Sequence, residues 1–382
     1  GMSTSTDIFN NEKYKFSDNL LNYYEYMKKN DVFASYAVVP PQAARNPEFY
    51  QKRNLPIPTL SVVSENDKGV IISGMKMLAT SAIFANEIWI GNLIPLAPDQ
   101  VKQSITCAIP CNSNGLSLWM RQPLSNHYDN QFDAPLSWNQ DETDVLVMCD
   151  KVLVPWERIF VKDDAIQARE IYFKTPAHCY GNHQSNVRYW SKMELIVGLC
   201  YKIAKATGAD EVPAVRETLG KMSALESTLS GMIYGQIENA ENWPENFKTF
   251  NRRIMYAALN FCTDNYSMII DELRTLCGGG VFQMPASIKV MKNKELLNDF
   301  ETYFQTPQMN ALDRMKLFKL AWDVVGSEFA GRQLQYEKFY AGASFIIRNH
   351  NFRETPWNHF EDVVDKVMSK YDVPIKHDKA AE

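Results

Sequence analysis

No apolar run in this chain of 382 residues reaches the length of a membrane-spanning helix. The polar opening, Met2-Ser3-Thr4-Ser5-Thr6-Asp7, lacks the charged and apolar regions of a secretory signal. Cysteine is sparse. Cys107, Cys111, Cys149, Cys179, Cys200, Cys262 and Cys277 are too scattered for a disulfide framework, and their odd number fits a reducing compartment. A basic excess is lacking too: the net charge of −5 offers no global attraction for nucleic acid or an anionic membrane. These absences predict a soluble, cytoplasmic protein with no nucleic-acid and no membrane partner. Gly-x-Ser-x-Gly, HExxH and Walker sequences are absent, so hydrolase and NTPase readings have no support. No strand-like run leads into Gly-x-Gly-x-x-Gly, which argues against a Rossmann nucleotide site.

What is present describes a folded, multidomain chain. Hydrophobic residues make up 45% and charged residues 22%, which is ordinary for globular proteins. The length exceeds what one core usually holds. Aromatic residues reach 12%, but they are core fillers before they are stacking surfaces and favour a planar ligand only weakly.

The first seven residues carry no periodicity and are expected to be mobile. Ser17-Asp18 then suits the start of a helix with Leu20, Leu21, Tyr24 and Met27 on one face and Asn30 closing it. Short apolar or alternating runs follow at 34–39, 59–63, 70–73, 88–90, 105–109, 116–120, 145–149 and 152–154, separated by turn clusters. Strands at such short spacing, without helices between them, predict an antiparallel β-barrel or sandwich. After Asp163 the period becomes helical: Trp190 to Ile203, Leu219 to Met232, Ile254 to Leu273 and Leu317 to Leu334 each place apolar residues at three- and four-residue steps. The expected fold class is therefore α+β, mostly α, with a central β-barrel or sandwich followed by a C-terminal four-helix bundle. The expected divisions are 1–33 (flexible start and helix), 34–162 (β domain) and 163–382 (helical domain). A planar cofactor suits the crevice between barrel and bundle, since ligands favour domain junctions.

Individual chemical candidates are weak by spacing alone. Cys107 and Cys111 have no second pair at zinc-site spacing and read as core residues; no metal site is predicted. His178 and His183 bracket Cys179-Tyr180-Gly181-Asn182 in a loop at the mouth of the first bundle helix, where capping and hydrogen bonding are favoured over a metal. Cys277-Gly278-Gly279-Gly280 reads as a helix end, or as a backbone that lets a phosphate approach. Asp141, Glu142 and Asp144 read as solvated surface.

Three segments carry a more specific signal. The first is Ala34-Ser35-Tyr36-Ala37-Val38-Val39-Pro40-Pro41, leading to Arg45-Asn46. The second is Asp150-Lys151-Val152-Leu153-Val154-Pro155-Trp156-Glu157. The third is Lys316-Leu317-Phe318-Lys319-Leu320-Ala321-Trp322-Asp323-Val324-Val325-Gly326-Ser327-Glu328-Phe329-Ala330-Gly331-Arg332, continuing to Tyr336. From about Asn22 onward the chain resembles the large, oxygenase component of two-component 4-hydroxyphenylacetate 3-hydroxylases.

The resemblance implies an acyl-CoA dehydrogenase-like fold and a homodimer or homotetramer. It implies FAD, taken as FADH2 from a separate flavin reductase, with O2 as co-substrate and a small aromatic substrate hydroxylated beside its phenol group. By position it places the flavin against Tyr36, Ala37 and Val38, then Gln42 and Arg45, with Arg45 meeting the phosphates. It also places flavin contacts at Thr80 and at Gly342, Ala343, Ser344 and Phe345. Tyr36 stands where hydroxylases carry a substrate-binding histidine, so it is the candidate for orienting substrate; unlike His, it does not titrate near neutrality. Gly342-Ala343-Ser344-Phe345 replaces a polar Asn-His-Glu-like run. Most of the family's N-terminal helical domain, with its phenol-holding Arg and Tyr, has no counterpart here, which implies an altered substrate. The alternative expectation is a non-catalytic or partner-dependent flavin-binding subunit, completed by a separately encoded N-terminal helical subunit. A related dehydratase branch holds an iron–sulfur cluster, but Trp190 falls where a cysteine ligand is needed. Acyl-CoA oxidation would need a catalytic carboxylate that no position supplies.

Overall fold

The computed structural model describes residues 1–371 and shows a mixed α+β fold. The start of the chain is packed, against expectation. Phe9 is fully buried beside Phe16, Leu20 and Tyr23, and the Trp243 indole donates to Ser5 Oγ over 2.9 Å. Helix α1 (Ser17–Asn30) has no side-chain cap, and Asp31, at φ 50°, rather than Asn30 closes it. The helix buries Leu20 and Tyr23 and leaves Leu21 and Tyr24 exposed, so the apolar face is turned from the one expected. Asn19 ties α1 to the β domain by donating to the carbonyls of Trp156 (2.8 Å) and Ile159 (2.9 Å).

Eight strands form two four-stranded sheets rather than a closed barrel. They are β1 (Ala34–Ala37), β2 (Ser61–Asn66), β3 (Gly69–Lys76), β4 (Glu87–Ile90), β5 (Thr106–Pro110), β6 (Leu116–Met120), β7 (Val145–Pro155) and β8 (Ile159–Val161). One sheet runs β1-β4-β5-β8 and the other β2-β3-β7-β6. Two short helices, α2 (Pro47–Gln51) and α3 (Pro135–Asn139), lie in the connections. The pairing is not wholly antiparallel: β1 runs parallel to β4, with Tyr36 opposite Trp89. The chain leaves β1, builds the β2–β3 hairpin in the other sheet and returns through the Thr80 turn, so β4 starts from the same end as β1.

The runs expected as two strands at 145–149 and 152–154 form the single strand β7. Asp150-Lys151 sits opposite a register shift between Ile72 and Gly74, with the Lys151 amide donating to Ser73 Oγ over 2.9 Å. This bulge resets the alternation, so that Val147, Cys149, Val152 and Val154 all face the core. Gly74 is required there. Its φ is +116°, and a Cβ would lie 2.1 Å from the Thr59 carbonyl oxygen.

The second half is helical: α4 (Gln167–Phe173), α5 (Ala177–Ala206), α6 (Pro213–Glu238), α7 (Arg252–Cys277), α8 (Lys294–Phe304), α9 (Ala311–Val325), α10 (Glu328–Phe339), α11 (Ser344–Glu354) and α12 (Trp357–Met368). A small hairpin, β9 (Glu241–Trp243) and β10 (Phe247–Thr249), precedes α7. Met193, Cys200, Met222, Leu229, Leu273 and Phe318 belong to one core built from α5, α6, α7 and α9. The helix expected from Leu317 to Leu334 is broken into α9 and α10. Gly326 packs against the Trp322 ring, and Ser327 Oγ accepts from the Ala330 amide (3.2 Å) to start a new helix. That break turns α10 toward the β domain.

Carboxylates join the two halves. Buried Asp323 on α9 accepts from the amides of Leu136 (2.7 Å) and Ser137 (2.8 Å), capping α3 from another element. Asp133 accepts from the Ile288 amide at 3.0 Å and pairs with Lys319 at 3.3 Å.

Candidate active site

The strand alternation of β1 turns Ser35 and Ala37 into the core and leaves Tyr36 on the opposite face, half exposed. Ser35 Oγ donates to the Thr80 carbonyl over 2.7 Å, which ties the strand to the Thr80 turn. The turn is confined by two residues in the left-handed region, Leu78 (φ 60°) and Ser81 (φ 62°). It is held there because the Ala79 amide donates to the Val145 carbonyl and the Ser81 amide to the Thr143 carbonyl, each over 3.0 Å. The Thr80 side chain is therefore carried on a fixed backbone.

The Thr80 hydroxyl donates to Asp144 Oδ1 over 2.9 Å. Arg332 of α10 grips the same carboxylate in a fork, Nε to Oδ2 and Nη2 to Oδ1, both 2.9 Å. Burial alone would raise the Asp144 carboxyl, but Arg332, Thr80 and Arg121 outweigh it and hold it below the usual carboxylate range. Asp141, the neighbouring acid, accepts from Arg121 (2.8 Å) and the Leu124 amide (2.6 Å). Asp141 and Asp144, expected as solvated surface, are thus part of the junction. Glu142 is exposed.

Across this junction α10 presents Tyr336, with Tyr340 following it, to Tyr36. Although half of the residue's surface is exposed, desolvation at its phenol end, with Tyr340, Tyr336 and Tyr172 beside it, raises the Tyr36 pKa above its ordinary value. A neutral phenol can both donate and accept a hydrogen bond. The Arg188 guanidinium lies 4.4 Å from the Tyr336 ring centre and 4.9 Å from that of Tyr340. Glu337, almost wholly buried, accepts from Arg188 (3.0 Å) and Lys192, and Lys192 also donates to Gln333 Oε1 (2.7 Å). Among the described residues, Arg188 Nε and Nη1 are buried without a hydrogen-bond partner.

Sequence reasoning missed Arg188, Lys192 and Glu337. The available signal was two basic residues four apart on α5 facing Gln333 and Glu337, four apart on α10.

The other expected site residues fall around this junction in different ways. Ala37 and Val38 are buried, and their carbonyls accept from the Gly91 (3.2 Å) and Leu93 (3.1 Å) amides. Gln42 and Arg45 lie on a short exposed turn after Pro41, outside the Thr80–Asp144–Arg332 network. Gly342, at φ +97°, and Ala343 lead from Tyr340 into α11, which Ser344 begins. Phe345 projects into solvent with two-thirds of its surface exposed.

His178 and His183 are not in a loop, because α5 already begins at Ala177. His183 Nδ1 is within 2.8 Å of Gln236 Oε1, and its ring stacks on Phe250 at 3.5 Å. Gly278 to Gly280 close α7 and pack against α9, where a Cβ on Gly280 would lie 2.4 Å from the Phe318 ring.

Two four-stranded sheets joined to a helical half through a tyrosine-rich junction define a mixed α+β class of protein. The family match is more specific. Residues 1–161 fit the family model described as 4-hydroxyphenylacetate 3-hydroxylase N terminal, and residues 168–369 fit the one described as 4-hydroxyphenylacetate 3-hydroxylase C terminal. The chain belongs to the 4-hydroxyphenylacetate 3-hydroxylase family.

Among its relatives is the 4-hydroxyphenylacetate 3-monooxygenase oxygenase component of Thermus thermophilus, 29% identical over 343 residues, covering 89% of this chain and 69% of the relative. The oxygenase component (HpaB) of 4-hydroxyphenylacetate 3-monooxygenase, solved with FAD and 4-hydroxyphenylacetate, superposes with a TM-score of 0.87 at 27% identity, covering 96% of this chain and 75% of that one. An archaeal 4-hydroxybutyryl-CoA dehydratase from N. maritimus, at 16% identity and a TM-score of 0.85 over 100% of this chain and 76% of its own, shares the fold. No helix among the described residues is long and apolar enough to cross a membrane.

Proposed function

We propose that the chain is the oxygenase component of a two-component, flavin-dependent aromatic hydroxylase. It takes FADH2 from a separate flavin reductase and uses O2 to hydroxylate a small phenol. The observation that supports this most is the superposition, over 96% of the chain, on a relative that holds both FAD and a phenol. The bound flavin supplies the oxygen chemistry; the protein's part is to bind, orient and exclude water.

The chemistry of the junction fits a reduced flavin. Asp144 is ionised and can only accept, so the Thr80 proton is committed to it and the hydroxyl offers lone pairs outward. A reduced isoalloxazine ring carries an N–H where the oxidised ring has a bare nitrogen, so it matches an acceptor. Tyr36, Ala37 and Val38 would line the ring with Thr80, and Gly342, Ala343, Ser344 and Phe345 would close over it. Gln42 and Arg45 would face the ribityl and phosphate groups, and Tyr36 would orient the phenol by a neutral hydrogen bond.

Anaerobic titration with FADH2, followed by oxygen in the presence of a phenol, tests the reading. Micromolar binding and a catechol product are expected; no affinity below the high micromolar range would sink it.

A second reading is favoured by Tyr36, which cannot exchange a proton near neutrality as a histidine does. In it the chain is a flavin-binding subunit that turns over only with a partner supplying an N-terminal helical portion. FADH2 binding without product, rescued by such a partner, would decide for it.

A further inference from the structure

A cleft of about 460 Å³ opens between α4, the first turn of α7 and the last turn of α11, and none of the residues assigned to the flavin lines it. Its size suits a small organic ligand. Three rings form its wall. His350 stacks on Tyr256 at 4.4 Å and 7°, and on Phe173 at 5.9 Å and 17°. The His350 ring is neutral: burial first, then Arg353, pushes its pKa down to about 4. Its bare Nδ1 accepts from Arg353 Nη2 over 3.0 Å.

The charge on the lining is unbalanced. Arg252 is paired with Glu241 (2.8 Å) and Glu354 (3.7 Å), and Lys174 with Glu170 (2.7 Å). Arg169 and Arg353 also line the cleft, and among the described residues neither has a carboxylate partner within ion-pair distance. Arg169 lies instead over the Phe173 ring at 4.7 Å, with its Nε buried and unpartnered. Two guanidiniums without a carboxylate partner of their own thus face one cleft in a chain whose net charge is −5. Planar forks of this kind bind phosphate oxygens in pairs, and two such charges match a dianion better than a carboxylate.

We propose that this cleft binds an aromatic phosphate monoester, with the phosphate between Arg169 and Arg353 and the ring against the Phe173–His350–Tyr256 wall. The site is separate from the flavin junction and does not depend on the function proposed above.

Calorimetric titration of the full chain with phenyl phosphate tests it, with inorganic phosphate and phenylacetate as comparison ligands. Phenyl phosphate is expected to bind at least tenfold more tightly than either, and less tightly as salt is raised. Arg169→Gln and Arg353→Gln should each weaken it by roughly tenfold, the scale of one charge-assisted contact. Lys366→Gln, on α12 and away from the cleft, should leave it unchanged. Undiminished binding in both arginine variants, or equal binding of inorganic phosphate, would overturn the proposal. Competition by FAD would also overturn it, by showing that the cleft belongs to the flavin site. Failure of FADH2 binding alone would leave this proposal standing and count against the oxygenase reading only.

Discussion

Thr80 donates its hydroxyl proton to Asp144 over 2.9 Å, and Arg332 occupies both oxygens of the same carboxylate. The direction of that hydrogen bond is fixed by charge, because an ionised carboxylate has no proton to give. Thr80 is consequently an acceptor toward whatever lies against it.

This polarity predicts which flavin is preferred. The protein should bind FADH2 more tightly than FAD, and Thr80→Val should weaken FADH2 binding by roughly two- to tenfold, the range of one neutral hydrogen bond. Oxidised FAD should lose little. Equal losses for both redox states, measured by anaerobic and aerobic titration, would count against an acceptor role.

The same carboxylate joins the β domain to α10. Arg332 is nearly buried, with 9% of its side chain exposed against 22% for Asp144, so removing one partner strands a charge. Arg332→Met should lower stability by about 2–3 kcal/mol, at the low end for a buried pair because Asp144 keeps some solvent. The pair's contribution has a definite pH sign. The Asp144 pKa is lowered on folding, so the contribution is complete above the unfolded carboxylate value of 3.8 and disappears as pH falls through the lower folded value. Urea midpoints for the parent and variant should converge as pH is lowered below 3.8 and through the depressed folded value.

Lys76 predicts the opposite region of the pH scale. It is 1% exposed, and its Nζ donates to Asn92 Oδ1 over 2.7 Å, with no carboxylate partner among the described residues. Burial pushes its pKa down to about 7 from 10.5. Between those values the unfolded chain holds a proton that the folded chain has released, so stability rises with pH from about 7 toward 10.5. Below about 7 the full cost of burying an ammonium remains. Lys76→Met should flatten this rise, seen as a melting temperature that changes less between pH 7 and pH 9 than in the parent.

Helix α12 predicts self-association. Phe360, Val363, Val364 and Val367 recur at three- and four-residue steps, each at least 40% exposed, and no residue of the helix is buried. A homodimer or homotetramer is expected by light scattering at micromolar concentration, and Val364→Asp should shift it toward monomer. A monomeric parent protein would count against this.

Much of the scaffold was legible in local pattern. The run at 116–120 coincides with β6, and the helical periods after Asp163 fall on α5, α6, α7 and α9. Alternation and 3.6-residue periodicity report which face of an element is buried, and they need no knowledge of its partner. They misread the buried face of α1, and also places where two signals overlap. The Asp150-Lys151 bulge looks like a gap between strands, and the Gly326-Ser327 break lies inside an unbroken apolar period.

The sequence by itself determined a mixed α+β chain with strands before helices and, through the Ala34–Pro41, Asp150–Glu157 and Lys316–Arg332 segments, its family. Only the tertiary structure decided that Asp144 is an ion-pair partner at the junction and not free surface, because Arg332 stands 188 residues away and leaves no local trace. It alone set β1 parallel to β4, brought Arg188 to Glu337 and separated Arg45 from the Thr80 network. An element's period follows from its neighbours along the chain, but the sign and direction of a polar contact depend on what folding places across from it.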